Sequence, residues 1–465
     1  MRLRWRVVYP AILPQDCVFL LPYRTAPETL ASPASLSSTD KVTKTEYLLS
    51  ELRSRLWVKP SIMGIAAVLW VSFAYFGAHL LPDDLFISIK RDILINLLGI
   101  MASTMLTVAT FSVAAMVSAF SAVSTTATPR AARIVMRDNA TQNSLTSFLA
   151  AFIYAIVALV AISVVDYGIG GRVLLFAGYT VMVAWVLISF VRWVDRVSTL
   201  GRMGDTLERV EEACRVPFTS PDTMGTLGAA EATGAPVTGA EVRVERVGYI
   251  QNIDIADLDS LARELGSTIH VLERPGAFFG PHDSLAIVSG RDELDDESTG
   301  RIRRAFVIGD TRRVESDPRF GLIILSEIAD RALSPAVNDP GTAIAVLGIQ
   351  VRLMEAWCRH RRETPEVKYP NIKVYPLDPE DLLDDSLTSI SRDGSAMYEV
   401  GARIQKSLAM LTRLGNEKLT AAALRHSRLA LEQAERSLPT ESHKGLVRAL
   451  AGKVEQSSSG NSDLS

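Results

Sequence analysis

Between Pro60 and Arg192 lie four stretches without a formal charge, and no other feature limits the fold as much. Ser61–Leu81 runs for 21 residues without Asp, Glu, Lys or Arg, Ile93–Pro129 for 37, Phe148–Val165 for 18 and Val173–Val191 for 19. A helix needs about 20 apolar residues to cross a hydrocarbon core roughly 30 Å thick. The direct reading is four transmembrane helices, at about 61–81, 93–123, 146–165 and 173–191, inside a membrane domain spanning 47–200. Composition agrees: 48% hydrophobic residues and a positive mean hydropathy beside 22% charged residues mean that the apolar content is concentrated in one place.

Lysine and arginine flanking the spans set the expected orientation, because basic residues are retained on the cytoplasmic side. Lys41, Lys44, Arg53, Arg55 and Lys59 precede the first span, Arg130, Arg133 and Arg137 follow the second, and Arg192, Arg196, Arg202 and Arg209 follow the fourth. The two remaining loops hold only Lys90, Arg91 and Arg172. Both termini and everything after Arg192 are therefore expected in the cytoplasm of a bacterial plasma (inner) membrane protein. Residues 1–46, with a proline-broken apolar start and a Ser/Pro-rich linker, read as a disordered extension or as sequence upstream of the natural start.

The second span is unusually long and polar. Thirty-seven helical residues measure roughly 55 Å, and Ile93–Pro129 carries eleven Ser or Thr. Such residues suit a central helix packed closely on its neighbours. They also suit the wall of a water-filled path, with Asn96, Thr104, Thr107 and Ser112 as its pore-lining candidates. No Asp, Glu, Lys or Arg sits inside a span, which argues against an ion-coupled transporter more than against a simple pore.

Beyond the membrane domain, 201–240 reads as a helix and linker and 241–290 as a small β-rich module. Its strand–turn spacing is like that of a barrel-sandwich, without a lysine at a turn to carry a cofactor. Residues 291–438 read as a mostly helical cytoplasmic domain and 439–465 as a short helix and disordered tail. The fold class expected is thus a four-helix α transmembrane region followed by a cytoplasmic α+β region. A net charge of −3 and the absence of a basic, aromatic-interleaved stripe exclude a nucleic-acid partner. Cys17, Cys214 and Cys358 are too scattered for a disulfide framework or zinc site, and no metal or cofactor is expected. His270 and His282 match no ligand spacing. Arg301, Arg303, Arg304, Arg312 and Arg313, interspersed with acids, read as a salt-bridged surface.

One motif remains. In "RALSPAVNDPGTA", Arg331–Ala343, Ser334 precedes Pro335 and Asp339 precedes Pro340, so one helix must stop and another begin. Ser334 and Asp339 are read as caps of this corner, and Asp330, Arg331 and Asn338 as the side chains tying it together or binding a partner. Asp330, Arg331, Ser334, Asn338 and Asp339 are also the only cluster an enzyme could draw on, with no phosphate cradle, nucleophile elbow or metal set beside them.

The corner "FGLIILSEIADRALSPAVNDPGTA" resembles a bacterial membrane-protein family known only as domain of unknown function 2254, through its ALSP-small-hydrophobic-NDP-x-TA pattern. "SRLWVKP" before the first span, "MRDNATQ" after the second and "GYIQ" with "RPGAFF" further on support the resemblance. Ala336 and Gly341 depart slightly from the family's usual residues. The resemblance implies a four-span membrane protein with a cytoplasmic C-terminal region, and no known activity, cofactor or catalytic residue. Three functional readings remain: a channel-like homo-oligomer with a regulatory domain, a membrane-anchored scaffold or sensor for a cytoplasmic partner or ligand, or, least favoured, an enzyme drawing on the corner cluster.

Overall fold

A computed structural model describes residues 58–77, 89–136, 139–199, 201–220, 223, 225–234, 237–362 and 367–459. The 1–46 extension, the end of the first expected span, Arg137 and the last residues of the tail fall outside that set. The membrane region is built from α1 (Val58–Gly77), α2 (Arg91–Thr126), the short α3 (Pro129–Met136), α4 (Asn139–Val164) and α5 (Ile169–Thr199).

Three helices among the described residues are long and apolar enough to cross a membrane, over Arg91–Thr126, Asn143–Val164 and Ile169–Val197. The expected count of four is reduced because the apolar part of α1, Pro60–Phe76, is shorter than the requirement of about 20 residues. Residues that would lengthen it lie outside the described set.

The central helix is α4, not α2 as the sequence suggested. It packs on α1, α2 and α5, and 44% of its apolar window is buried, against 28% for α2 and 22% for α5. Alanines explain the choice: Ala150, Ala151, Ala155 and Ala158 are all buried and let neighbouring backbones come close. At Gly178 the approach is so tight that a Cβ would lie 2.5 Å from both the Trp70 indole nitrogen and the Tyr154 hydroxyl. Arg91 fixes the ends, its Nη2 donating to the carbonyls of Ile162 (2.6 Å) and Ser163 (3.0 Å) at the C-terminus of α4, where a cation meets the negative end of the helix.

At its other end α2 stops at Ala127 (φ −101°, ψ −109°). The buried Thr128 hydroxyl accepts the Ala131 amide (3.1 Å), and Pro129 opens α3.

The rest of the chain is α+β. After α6 (Met203–Thr219) come β1 (Ala229–Glu231), β2 (Gly239–Arg243), β3 (Gly248–Ile253), α7 (Ile255–Leu265), β4 (Ile269–Val271), β5 (Phe278–Phe279), β6 (Ser284–Ser289), α8 (Asp296–Ala305) and β7 (Phe306–Gly309). The order β1-β8-β4-β6-β2 makes one mixed sheet and β5-β3-β7 an antiparallel one, with β8 spanning Tyr369–Val374.

This is not the barrel-sandwich arrangement of hairpins. β8 comes from nearly a hundred residues downstream of β4 and lies between β1 and β4, parallel to both. Parallel partners need long crossovers, so a reading of consecutive strands had no means of placing β8 in the sheet. Asp254 caps α7 through the Asp257 amide (3.0 Å), and Gly266 closes it at φ +61°.

The helical part comprises α9 (Pro318–Leu333), α10 (Pro340–Arg362), α11 (Pro379–Asp393), α12 (Tyr398–Leu411), α13 (Glu417–Ser437) and α14 (Glu441–Ser459). One apolar core holds Leu322, Leu325, Ile328 and Leu333 of α9, Val346 and Trp357 of α10, and Val210, Cys214 and Phe218 of α6. Val123, Ala127, Ala131 and Ala132, from the end of α2 and from α3, belong to that same core. The longest of the apolar helices therefore ends inside the core of the α+β region, where Arg130 also pairs with Glu327 of α9.

Candidate functional site

The corner between α9 and α10 is closed mainly by its backbone. Val337 and Asn338 amides donate to the Ser334 carbonyl (3.0 and 2.8 Å), and the Asp339 amide reaches the Ala332 carbonyl (2.8 Å). Asn338 takes the left-handed conformation, φ +50°, which Asn tolerates better than most residues. Ser334 ends α9, its hydroxyl donating to the Arg331 carbonyl (2.7 Å). Asp339 caps α10: its carboxylate accepts the Thr342 amide (3.2 Å) and hydroxyl (2.6 Å), which holds its pKa below the usual carboxylate value. Pro340 starts α10 and Pro335 is exposed.

The remaining corner residues do not converge. Arg331 is exposed. Asp330 turns away toward α11, where Ser389, Arg392 and Asp393 act on it. Burial pushes its carboxyl up to about 6, and its Oδ1 is enclosed without a hydrogen-bond partner among the described residues.

The pore-lining candidates separate. On a helix turning 100° per residue, Asn96, Ser103, Thr104, Thr107, Thr110, Ser118, Ser121 and Thr125 fall within about 60° of one line, and all are exposed. The buried residues of α2, including Leu94, Leu98, Met101 and Ala109, lie on the opposite side. Ser112 goes with them: it is 4% exposed and donates to the Val108 carbonyl (2.8 Å). The stripe hydroxyls use their own backbone, as in Thr104 to Ile100 (2.7 Å), Thr107 to Ser103 (3.0 Å) and Thr110 to Leu106 (2.9 Å). Two bulky residues interrupt the stripe, Ile100 and Phe111, 59% and 63% exposed.

A further site was missed by the sequence reading. A cleft of about 770 Å³ opens where the β region meets the starts of α9, α11 and α13. The "RPG" of Arg274–Gly276 forms one wall. Arg274 donates to the carbonyls of Thr223 (2.6 Å) and Tyr375 (3.1 Å), and burial lowers its pKa to about 10. Gly276, at φ +100°, sits so close to the Asp317 carboxylate that a Cβ would come within 2.1 Å of it. Asp317 itself is 1% exposed, caps α9 through the Phe320 amide (3.1 Å) and holds Arg312 Nε (2.7 Å). The recurring Asp-Pro signature, at 317–318 and again at 378–379, was the available signal, because each pair begins a helix at the cleft. What the signal lacked was the spatial meeting of segments distant in the chain.

Two of the other Arg-rich candidates are paired. Arg301 binds Asp257 (2.7 Å) and Glu264 (2.8 Å), and Arg303 pairs with Glu245. Among the described residues no group of three or more His, Cys, Asp or Glu is placed to hold a metal ion.

A family model described as "Predicted membrane protein (DUF2254)" matches residues 53–410. Uncharacterized proteins of Mycobacterium tuberculosis and Mycobacterium bovis are 23% identical to the chain over 338 residues, 67% of this chain and 62% of theirs. The chain thus spans about three fifths of the length of these curated relatives. No solved structure matches it.

Proposed function

Because the chain belongs to the DUF2254 family of predicted membrane proteins, we propose that it is a channel-like homo-oligomer of the bacterial inner membrane, with the α+β region as a cytoplasmic regulatory domain. In this reading α1 completes a fourth span, and the basic flanks keep both termini inside. The observation that carries it is the direction of the α2 stripe. Hydroxyls and an amide are lined up on the face turned away from the chain's own bundle. Lipid offers such a face nothing that an apolar residue would not do better, whereas α2 helices from several copies, meeting around an axis, would enclose a polar path. Ile100 and Phe111 are then its apolar constrictions, the kind that close a pore by expelling water. The end of α2 in the core of α9 and α6 supplies a mechanical connection to the regulatory domain.

Conductance of the purified protein in planar bilayers tests the reading. Thr104→Leu with Thr107→Leu should abolish or sharply reduce it, Phe111→Ala should raise it, and Ser112→Ala should leave the pore unaltered. A protein that assembles but passes no ion at any voltage or tension overturns the pore and leaves the scaffold or sensor reading, for which the cleft is the supporting observation.

A further inference from the structure

The cleft between the β region and the helical part carries an inference beyond the pore reading. Its volume, about 770 Å³, is that of a small-molecule site. Its charges fall into two groups. Some are already occupied within the chain. Asp317 holds Arg312 Nε and the first turn of α9, Arg319 binds Asp381 (2.6 Å) and Asp385 (2.6 Å), and Asp378 caps α11 through the Glu380 amide (3.0 Å).

Other charges are less occupied. Glu231, Glu273 and Lys418 line the cleft, and their side chains make no hydrogen bond or salt bridge among the described residues, although the Arg319 charge acts on Glu273. Arg312 is anchored at Nε by the buried Asp317, and its guanidinium carbon lies 5.2 Å from the centre of the Phe320 ring. Its two terminal nitrogens have no partner among the described residues. A guanidinium held rigid on one side and open on the other is a preorganised fork for a carboxylate.

A purely anionic ligand would face Glu231 and Glu273, and a purely cationic one would face Arg312, Lys418 and Arg274. A ligand with both signs satisfies both sets. We propose that this cleft binds a small zwitterion, a free α-amino acid or a short peptide, with its carboxylate on the open nitrogens of Arg312 and on Lys418, and its ammonium group on Glu273 and Glu231. The site rests on the first turn of α9, whose last turn lies in the core that receives the end of α2. Occupancy is thereby placed on the helix that seats the membrane segment.

The test uses the full-length protein in detergent and measures thermal unfolding against the twenty free L-amino acids and a mixed dipeptide library, each also as N-acetyl and amide derivatives. At least one free compound should raise Tm, and blocking either end should remove the shift. Arg312→Lys should bind more weakly. Because Arg312 also holds Asp317, the deciding variants are the exposed Glu273→Gln and Lys418→Ala, each expected to keep the fold and weaken binding about tenfold, as loss of one charged hydrogen bond does. No shift with any compound, blocked forms as effective as free ones, or unchanged binding by both exposed variants overturns the site. Binding is read without conductance, so a protein that binds but does not conduct overturns the pore and keeps this inference.

Discussion

α2 and α9 are both long helices that end in the same core, yet they treat their polar residues in opposite ways. On α9, Ser326 is 3% exposed and its hydroxyl donates to the Asp385 (2.8 Å) and Ser386 (2.9 Å) carbonyls of α11, while Gln350 of α10 donates to it (3.1 Å). Three helices are pinned by one hydroxyl. On α2 the hydroxyls bond back to their own helix and hold nothing else. The packing of α9 is completed within the chain. That of α2 is not: its hydroxyl stripe stays exposed among the described residues.

Truncation on the two helices should therefore read out differently. Leu325→Ala, at a residue with 0% exposure, should cost about 2–5 kcal/mol by leaving a cavity, seen as a large fall in Tm. Thr107→Leu should change the stability of the protomer by no more than about 0.5 kcal/mol while altering oligomer size or conductance. A large loss of protomer stability from Thr107→Leu would break the comparison, because it would mean that the stripe is packed within one chain.

Asp339→Ala comes next. Removing the cap of α10 should cost about 1 kcal/mol and leave the α2 stripe untouched, as measured by Tm together with oligomer size. A change in oligomer size without loss of Tm would instead make the corner a contact between copies.

The smallest effect is that of Asp330. Burial lifts its carboxyl to about 6, above the free value of about 3.9, so the folded protein holds this proton more tightly than the unfolded chain. Its contribution is fully present below about pH 4 and is lost as pH rises through the folded pKa near 6. Asp330→Asn should raise Tm modestly at pH 7 to 8 and flatten the slope between about pH 4 and 6. An equal shift at every pH would show that Asp330 is ionised normally and acts only through shape. His426 has the opposite sign. It is 4% exposed and its pKa is pushed down to about 4 by burial, so its contribution is lost as pH falls from the free value toward 4. The two profiles separate in single variants.

Much of the architecture was legible in the primary sequence because it depends on neighbours in the chain. Asp254, Asp317 and Asp339 each act within three residues of themselves and cap helices as their spacing implies, whereas Asp378 caps a helix inside a stretch whose sequence reads as extended. Pro335 and Pro340 force the α9–α10 corner for the same local reason. Asn338 does help close that corner through its amide and its left-handed backbone, but the expectation that the Asp330 and Arg331 side chains tie it was misplaced because direction around a helix, not adjacency, decides contact. Asp330 and Arg331 are consecutive, and on a helix consecutive side chains point about 100° apart. Ser112 failed for the same reason: a hydroxyl in a Ser/Thr-rich helix belongs to the stripe only if its angle does. The cleft needed segments near 274, 317, 378 and 418 to meet.

The sequence by itself determined that apolar runs must leave water, where helices begin and stop, and that α2 is too long for the bilayer alone. These follow from the cost of exposing apolar surface and of leaving backbone groups unpaired, which each segment carries wherever it is placed. Only the tertiary structure decided that α4 is the axis, that β8 lies between β1 and β4, that the end of α2 is held in the α9 core, and that unpaired charges of both signs gather in one cleft. Those depend on which surfaces fit one another at close range. That fit is a property of pairs of segments and cannot be read from either one alone.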